Sequence, residues 1–242
     1  DMVNQFFQFK QFRIDQDRSA MKVTTDSCIF GAWVVEQLKQ NPSPFNLLDI
    51  GAGTGLLTLM IAQSQPIVQI TAVEIDEQTA EQARENTERT LWRSQIKIMN
   101  EDIKSFSVET QFDTIVSNPP FYEQDLIGPD PLKNQAHHDS ALLFSDLVIQ
   151  IDRLLNQKGK FYLLLPAKGM EERLEAIQKM GFFIHTLAHL HHSENHPQMR
   201  VLVEGERLPA VPMREEQIFI HQGSGDYSDR MHVLLKDYYL AF

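Results

Sequence analysis

Short apolar runs alternate with amphipathic stretches through the middle of this chain. The runs have the length of buried strands, and the stretches between them have the 3.6-residue spacing of helices. The predicted strands are residues 46–50, 69–74, 96–99, 112–117 and 161–165, and the predicted helices are 56–63, 76–93, 142–155 and 171–180. This β-α-β-α order predicts a doubly wound, mostly parallel α/β sheet of the Rossmann-like kind.

After residue 181 the pattern changes to strand-like pieces at 182–190, 200–204 and 217–221, followed by a final amphipathic stretch at 228–242. With little helix between them, these pieces predict antiparallel strands at one edge of a seven-stranded sheet. The first 45 residues precede the core strands and are rich in phenylalanine. We expect one domain over 1–242, made of an N-terminal extension (1–45) folded over the ligand-binding edge of the sheet, a core (46–180), and edge strands with a C-terminal helix (181–242).

Composition limits the functional classes. The 242 residues are 42% hydrophobic, enough for one full core, and no apolar run approaches the ~20 residues needed to span a bilayer. The first residues lack a basic stretch followed by an apolar one, so we expect no secretory signal. Cys28 is the only cysteine, which excludes an internal disulfide. We therefore expect a soluble cytoplasmic protein that does not contact a membrane.

The net charge of −11 disfavours nonspecific coating of nucleic acid. It leaves room for a local basic patch, and residues 10–22 carry four cations against two carboxylates.

A glycine-rich turn follows the first core strand. Gly51, Gly53 and Gly55 come directly before a predicted helix, and Asp49 lies two residues before the first of them. Glycines at such a turn let a ligand approach backbone N–H groups closely. The spacing differs from the dinucleotide fingerprint G-x-G-x-x-G. A carboxylate beside the turn repels a pyrophosphate and attracts an ammonium group, so the turn favours the amino-acid end of S-adenosyl-L-methionine over NAD.

Two more carboxylates follow the next strands. Glu74 ends the second strand, where a carboxylate can accept both hydroxyls of a ribose. Asp102 lies a few residues after the third strand, where it can accept the adenine amino group with Ile103 against the ring. Each acid alone is unspecific, but three acids and three glycines at successive strand ends predict a binding site for S-adenosylmethionine.

The tetrapeptide Asn118-Pro119-Pro120-Phe121 follows the fourth predicted strand. Two prolines end a strand abruptly and fix the backbone. The Asn118 side-chain oxygen and the Pro119 carbonyl can then accept the two N–H bonds of a planar amino group, and Phe121 can stack on its ring. The sequence therefore predicts a catalytic site at residues 118–121, with Asn118 also bordering the cofactor.

This order of motifs resembles the class I methyltransferases, and the tetrapeptide resembles those that methylate amino or amide nitrogens. Such enzymes act on exocyclic nitrogens of adenine, cytosine or guanine, or on a glutamine amide. The resemblance implies that Asn118 and Pro119 localise the nitrogen lone pair toward the methyl group and stabilise the charge that develops on nitrogen.

Both chain ends narrow the resemblance. Residues 9–14 (FKQFRI), 17–26 (DRSAMKVTTD) and 31–33 (GAW), with 227–229 (YSD) and 235–240 (LKDYYL), are similar to the bacterial tRNA1(Val) (adenine-37-N6)-methyltransferase family. The resemblance implies N6-methylation of a tRNA adenosine, Lys22 and Thr25 near the cofactor, and RNA phosphates at Lys10, Arg13 and Arg18. Guanine-N2 and glutamine-N5 methyltransferases share the tetrapeptide and stay open as alternatives, with a non-catalytic cofactor- or RNA-binding module as a remote one.

Histidines are concentrated between residues 185 and 196. A metal site there is conceivable, but no cysteine joins the five histidines, and a strand would point them to different sides. We expect no metal, and the sequence gives this segment no other role.

Overall fold

A computed structural model of the chain describes residues 5–19, 21–39, 45–119, 142–209, 212–223 and 225–242. A hairpin of β1 (Phe6–Gln8) and β2 (Arg13–Asp15) precedes an eight-stranded sheet. The sheet contains β3 (Phe45–Ile50), β4 (Val68–Glu74), β5 (Ile96–Asn100), β6 (Phe112–Ser117), β7 (Leu155–Pro166), β8 (Phe183–His191), β9 (Gln198–Glu206) and β10 (Arg214–Phe219). The helices are α1 (Thr25–Leu38), α2 (Leu56–Ser64), α3 (Glu77–Glu88), α4 (Phe144–Leu154), α5 (Met170–Lys179) and α6 (Asp229–Leu235), and Arg93–Gln95 forms a 3-10 turn.

The strand order is β10-β8-β9-β7-β6-β3-β4-β5, and every neighbouring pair is parallel except the two that include β9. The predicted doubly wound, mostly parallel sheet is confirmed. Seven of the eight strands therefore end at one edge, which we call the ligand edge, because ligands of open α/β sheets bind at the carboxyl ends of the strands.

The prediction of seven strands with antiparallel strands at the edge was wrong in detail. The sheet has eight strands, and β9, the single reversed one, lies inside it between β7 and β8. β9 and β10 do run in opposite directions, as a short connection requires, but β8 lies between them and pairs with β10 in parallel. Two predicted helices are also shorter: α3 ends at Glu88 and α6 at Leu235.

Two hydrophobic clusters cover the two faces of the sheet. One contains α1, α2, α6 and phenylalanines of the hairpin, and the other contains the apolar sides of α4 and α5. Helix α1 is buried continuously from Ser27 to Val35, because it lies between the sheet and the neighbouring helices. In α4 the buried positions recur at helical spacing, which leaves its other side polar.

The start of α1 lies at the ligand edge. Arg200, near the beginning of the reversed strand β9, donates from Nε to Asp26 Oδ2 at 2.8 Å. Arg200 pairs in register with Pro166, the last residue of β7. The first turn of α1 thus stands beside the carboxyl end of β7. None of the helices in the described ranges is long and apolar enough to cross a membrane.

Candidate cofactor and catalytic site

The glycine turn between β3 and α2 has a backbone that requires glycine. Gly51, Gly53 and Gly55 have φ values of +70°, +56° and +87°. Side chains with a Cβ rarely adopt these angles. A Cβ at Gly51 or Gly53 would meet no described atom within 4 Å, whereas one at Gly55 would contact Ala83 of α3. Among the described residues, the first two glycines therefore border open space, and the third lets the turn pack on α3.

Asp49 lies beneath this turn. Its side chain is fully buried, and Oδ2 accepts a hydrogen bond from the Thr58 hydroxyl at 2.7 Å. Oδ1 is also buried but has no hydrogen-bond partner in the described part of the chain. Burial raises the pKa of Asp49 to about 7; the Thr58 hydroxyl opposes this rise, and the charge of Glu74 adds to it. A buried carboxylate oxygen without a hydrogen bond costs free energy, and a hydrogen-bond donor on a ligand would satisfy this oxygen.

Glu74, the last residue of β4, is held by backbone donors on both oxygens. Gly53 N donates to Oε2 at 2.9 Å, and Asp76 N donates to Oε1 at 2.9 Å. A carboxylate has about four lone-pair sites, so each oxygen keeps capacity for a further donor. The half-buried Glu74 is thus oriented at the glycine turn and remains able to accept hydroxyl groups.

Asp102 follows β5 in a tight turn. Its Oδ1 accepts from Lys104 N at 2.9 Å, and its backbone oxygen accepts from Phe106 N at 2.9 Å. This leaves Oδ2 available. Ile103 packs into a core cluster and is only 6% exposed, so a bound ring would touch no more than its edge. The backbone oxygen of Ile103 accepts from Arg153 Nη2 at 3.1 Å, which fixes the turn.

Asn118 lies beside the glycine turn because of strand register. Ser117, the last residue of β6, pairs with Ile50, the last residue of β3, and its hydroxyl donates to the Ile50 carbonyl at 2.7 Å. The next residues of the two parallel strands are Asn118 and Gly51, about 4.8 Å apart in the sheet direction. Asn118 is half-buried and Pro119 is buried. The predicted catalytic residues Pro120 and Phe121 lie outside the described residues.

Lys22 and Thr25 brace the segment before α1. Lys22 Nζ donates to the backbone oxygens of Gln16 and Ser19, the latter at 2.8 Å. Thr25 is the first residue of α1, and its side chain interacts with that of Tyr239. Both side chains therefore already have partners within the chain, and their predicted contact with the cofactor stays a prediction.

Each of the three cations predicted to meet RNA is bonded within the chain. Lys10 Nζ donates to the backbone oxygens of Lys236 at 2.5 Å and Phe242 at 2.6 Å. Arg13 pairs with Asp15 at 2.6 Å, and Arg18 pairs with Glu85. Lys10 thus joins the N-terminal hairpin to the C-terminal residues. If any of these three residues binds an RNA phosphate, the phosphate must either replace its partner within the chain or bind in addition to it.

Two supporting residues, Thr58 and Asn86, were not predicted from the sequence. Thr58 lies inside the apolar run of α2, and a lone hydroxyl at a buried helix position signals a specific partner. Asn86 is fully buried on α3, and its Nδ2 donates to Asp15 O at 3.0 Å and Thr54 O at 2.9 Å. The buried face of α3 recurs at helical spacing and includes Asn86, a signal that was available in the sequence.

These residues fit S-adenosylmethionine. The orphaned Oδ1 of Asp49 suits an ammonium group, Glu74 can accept hydroxyls, and the space above Gly51 and Gly53 admits a ligand. Within the ranges that the structure covers, no group of three or more His, Cys, Asp or Glu residues could hold a metal ion.

Sequence comparison places the chain among known proteins. The profile of the methyltransferase small domain family matches residues 30–180, more than half of the chain. A tRNA1(Val) (adenine(37)-N6)-methyltransferase of Dyadobacter fermentans is 39% identical over 99% of both chains. One of Pedobacter heparinus is 36% identical over 98% of both chains. The resemblance found in the motifs thus extends along nearly the whole length of the relatives.

Structural comparison gives the same fold at low sequence identity. A predicted O-methyltransferase of Agrobacterium tumefaciens has a TM-score of 0.66 at 17% identity, covering 88% of this chain and 96% of the other. The magnesium protoporphyrin IX methyltransferase of Synechocystis, solved with bound S-adenosylmethionine, has a TM-score of 0.55 at 17% identity, covering 78% and 86%. The sheet and its helices are therefore those of a class I methyltransferase.

Proposed function

This chain belongs to the tRNA1(Val) (adenine(37)-N6)-methyltransferase family, and on that premise we propose that it transfers the methyl group of S-adenosylmethionine to N6 of adenine 37 in tRNA1(Val). The observation that carries the proposal is the register of β3 and β6. It sets Asn118 directly beside the glycine turn, so a group bound by Asn118 lies next to a ligand bound at Gly51. As a tRNA-modifying enzyme the protein would act in the cytoplasm.

Asn118 and Pro119 provide the acceptors for the target nitrogen. The N6 lone pair of adenine is delocalised into the ring, which makes the amino group a poor nucleophile. When the Asn118 side-chain oxygen and the Pro119 carbonyl accept its two N–H bonds, the lone pair is directed away from the ring plane. The same two dipoles stabilise the positive charge that develops on nitrogen.

No side chain needs to act as a strong base. The methylated nitrogen is acidic while it carries its positive charge, and its proton can leave to water afterwards. The chain's task is alignment, which is the main requirement of an in-line transfer. Pro119, whose ring fixes its φ angle, and the Ser117–Ile50 hydrogen bond serve that task.

The cofactor would be held by the three carboxylates at the ends of β3, β4 and β5. Asp49 Oδ1 would accept from its ammonium group, Glu74 from its ribose hydroxyls, and Asp102 from its adenine amino group. When bound, S-adenosylmethionine supplies an electrophilic methyl group on a sulfonium. Gly51 and Gly53 leave the space for its approach to the backbone.

The test uses purified protein and S-adenosylmethionine labelled in the methyl group. It is incubated separately with tRNA that lacks the modification, with the same tRNA carrying guanine at position 37, and with a release-factor protein. We expect label in the first sample only, recovered as N6-methyladenosine after nuclease digestion. Label recovered as methylguanosine or in protein would favour the guanine-N2 or glutamine-N5 alternative instead.

A further inference from the structure

A row of aromatic and imidazole rings lies at the ligand edge, on the side of Asn118 away from the glycine turn. β8 ends at His191 and β10 at Phe219, and both strands run parallel to β6. The residues that follow them therefore lie at the same edge as Asn118. β9 and β7 separate β8 from β6, so this row is three strand spacings, ~14 Å, from Asn118.

The row consists of His196, His192, His221 and Tyr227, and we call it the ring row. The ring centroids of His196 and His192 are 4.9 Å apart, those of His192 and His221 are 4.7 Å apart, and His221 stacks on Tyr227 at 5.1 Å. His192 and His196 are exposed, whereas His221 and Tyr227 are half-buried. The row thus runs from the protein body into solvent.

Hydrogen bonds fix the shape of the ring row. His221 N donates to His192 O at 2.9 Å, which joins the two segments that carry the rings. His191 Nδ1 donates to the backbone oxygen of His196 at 3.1 Å, and its Nε2 lies 2.8 Å from Gln217 Oε1. The exposed rings are therefore presented by a braced loop.

Neither metal binding nor ion pairing accounts for the exposed histidines. No group in the described ranges could hold a metal, and no carboxylate there pairs with His192 or His196. Other histidines of β8 do have acidic partners: His185 Nε2 lies 2.7 Å from Glu206. An imidazole ring can stack on an unpaired base.

We propose that the ring row stacks on unpaired bases of the tRNA loop that presents the target adenine, which rests on the function proposed above. Unpaired RNA bases are recognised by stacking on aromatic and imidazole side chains. The distance of ~14 Å equals the rise of about four stacked nucleotides at ~3.4 Å each. The ring row therefore stacks on bases that neighbour the target base, while Asn118 binds the target base itself.

The test compares His192→Ala/His196→Ala with His192→Phe/His196→Phe. Affinity for fluorescently labelled tRNA is measured by anisotropy, and affinity for S-adenosylhomocysteine by calorimetry. We expect the alanine pair to weaken RNA binding about 10- to 100-fold and the phenylalanine pair to stay within about threefold of wild type, because phenylalanine keeps the stacking faces. Both pairs should bind S-adenosylhomocysteine like wild type, which shows that they are folded.

The matched control is His185→Ala, the same residue type at the other end of β8, and it should bind tRNA like wild type. Unchanged RNA affinity in the alanine pair would overturn the proposal, as would an equal loss in the phenylalanine pair. The measurement of RNA affinity does not require methyl transfer. The ratio of variant to wild-type tRNA affinity therefore tests the ring row even if the methylated base is not adenine 37.

Discussion

The ligand edge has two sides that are built in different ways. On the side of β3, β4 and β5, strand ends contact the turn and helix that follow β3. Thr58 and Asp49 are nine residues apart, and Gly53 and Glu74 are 21 apart. On the side of β7 to β10, the contacts join distant parts of the chain. Arg200 and Asp26 are 174 residues apart.

We expect this difference to separate two kinds of function. The side of β3, β4 and β5, which we propose binds the cofactor and call the cofactor side, uses backbone donors together with buried Asp49 and half-buried Glu74. Its geometry follows from the β-α units themselves. On the other side, ion pairs join α1 to late parts of the chain: Asp26 pairs with Arg200, and Glu36 pairs with Arg230. Substitutions on the first side should change cofactor affinity, and those on the second should change RNA affinity and stability.

The largest effect is expected where the two sides meet. Asn118→Ala removes one of two acceptors for the target amino group, so kcat should fall about 100- to 1,000-fold, as when one preorganised dipole is removed elsewhere. Cofactor affinity should change little. Single-turnover transfer to tRNA and calorimetry with S-adenosylhomocysteine measure the two quantities.

Asn46→Ala is the matched control for Asn118, because Asn46 is an exposed asparagine at the opposite end of β3. It should transfer normally. If Asn118→Ala instead loses cofactor binding while its transfer rate at saturation is unchanged, Asn118 belongs to the cofactor side alone.

Asp49→Asn should weaken cofactor binding about 10- to 100-fold, because a hydrogen bond between two charged groups is lost. Burial raises the pKa of the wild-type carboxyl from 3.8 to about 7, so the folded protein binds this proton more tightly than the unfolded chain. Wild-type stability therefore falls as pH rises through that interval, and the asparagine variant should lack this loss. Urea unfolding at several pH values checks the sign.

Thr58→Val sharpens the same test. Removal of the hydroxyl that donates to Asp49 Oδ2 raises the pKa of Asp49 further. Cofactor affinity should then fall at neutral pH and recover at higher pH, whereas Asp49→Asn should show no recovery. If cofactor affinity depends on pH in the same way in both variants, Asp49 does not bind the ammonium group.

Asn86→Ala should reduce the free energy of unfolding by on the order of 2 kcal/mol, because it removes the hydrogen bonds from Asn86 Nδ2 to the backbone oxygens of Asp15 and Thr54. It should also weaken cofactor binding, since Thr54 belongs to the glycine turn. Gln82→Ala is the control. Gln82 donates to the Asp17 carboxylate and accepts from Arg18 N, and among the described residues its side chain makes no hydrogen bond to the glycine turn. A loss of cofactor affinity in both variants would contradict a specific role of Asn86.

The smallest effect is expected for the Asp26–Arg200 pair. Its Arg200 side chain is 38% exposed, and partly exposed ion pairs contribute about 0–1 kcal/mol. Asp26→Asn and Arg200→Gln, with the double variant, form a mutant cycle measured by urea unfolding. Coupling well above that range would mean that the two sides of the edge depend on each other more strongly than their separate construction indicates.

The cofactor side was predictable from the sequence because its residues end consecutive strands. Asp49, Glu74 and Asn118 each follow from a strand pattern and the rule that parallel strands end at one edge. The comparisons confirm the family that the motifs and the two chain ends indicated. Strand bounds such as 112–117 also agree with the structure.

The other side was less predictable, because strand order does not follow from periodicity. The insertion of β9 between β7 and β8 depends on pairing among distant segments, and so does the position of the histidines that follow β8. Asn86 and Thr58 were missed for a related reason. Helical spacing places both on buried faces, but it does not identify their partners beyond the helix, which are Asp15 and Thr54 for Asn86 and Asp49 for Thr58.

The hydrogen bonds of Lys10 imply an order in which parts of this protein fold during synthesis. Its backbone N–H bonds to Tyr238 and its ammonium group to Lys236 and Phe242, and Lys10 and Lys236 are 226 positions apart in the sequence. During synthesis on a ribosome these bonds can form only after residues 236–242 have emerged, whereas residues 45–119 already contain the glycine turn, its carboxylates and Asn118. The residues that we propose for cofactor binding therefore emerge before the partners of Lys10 are available.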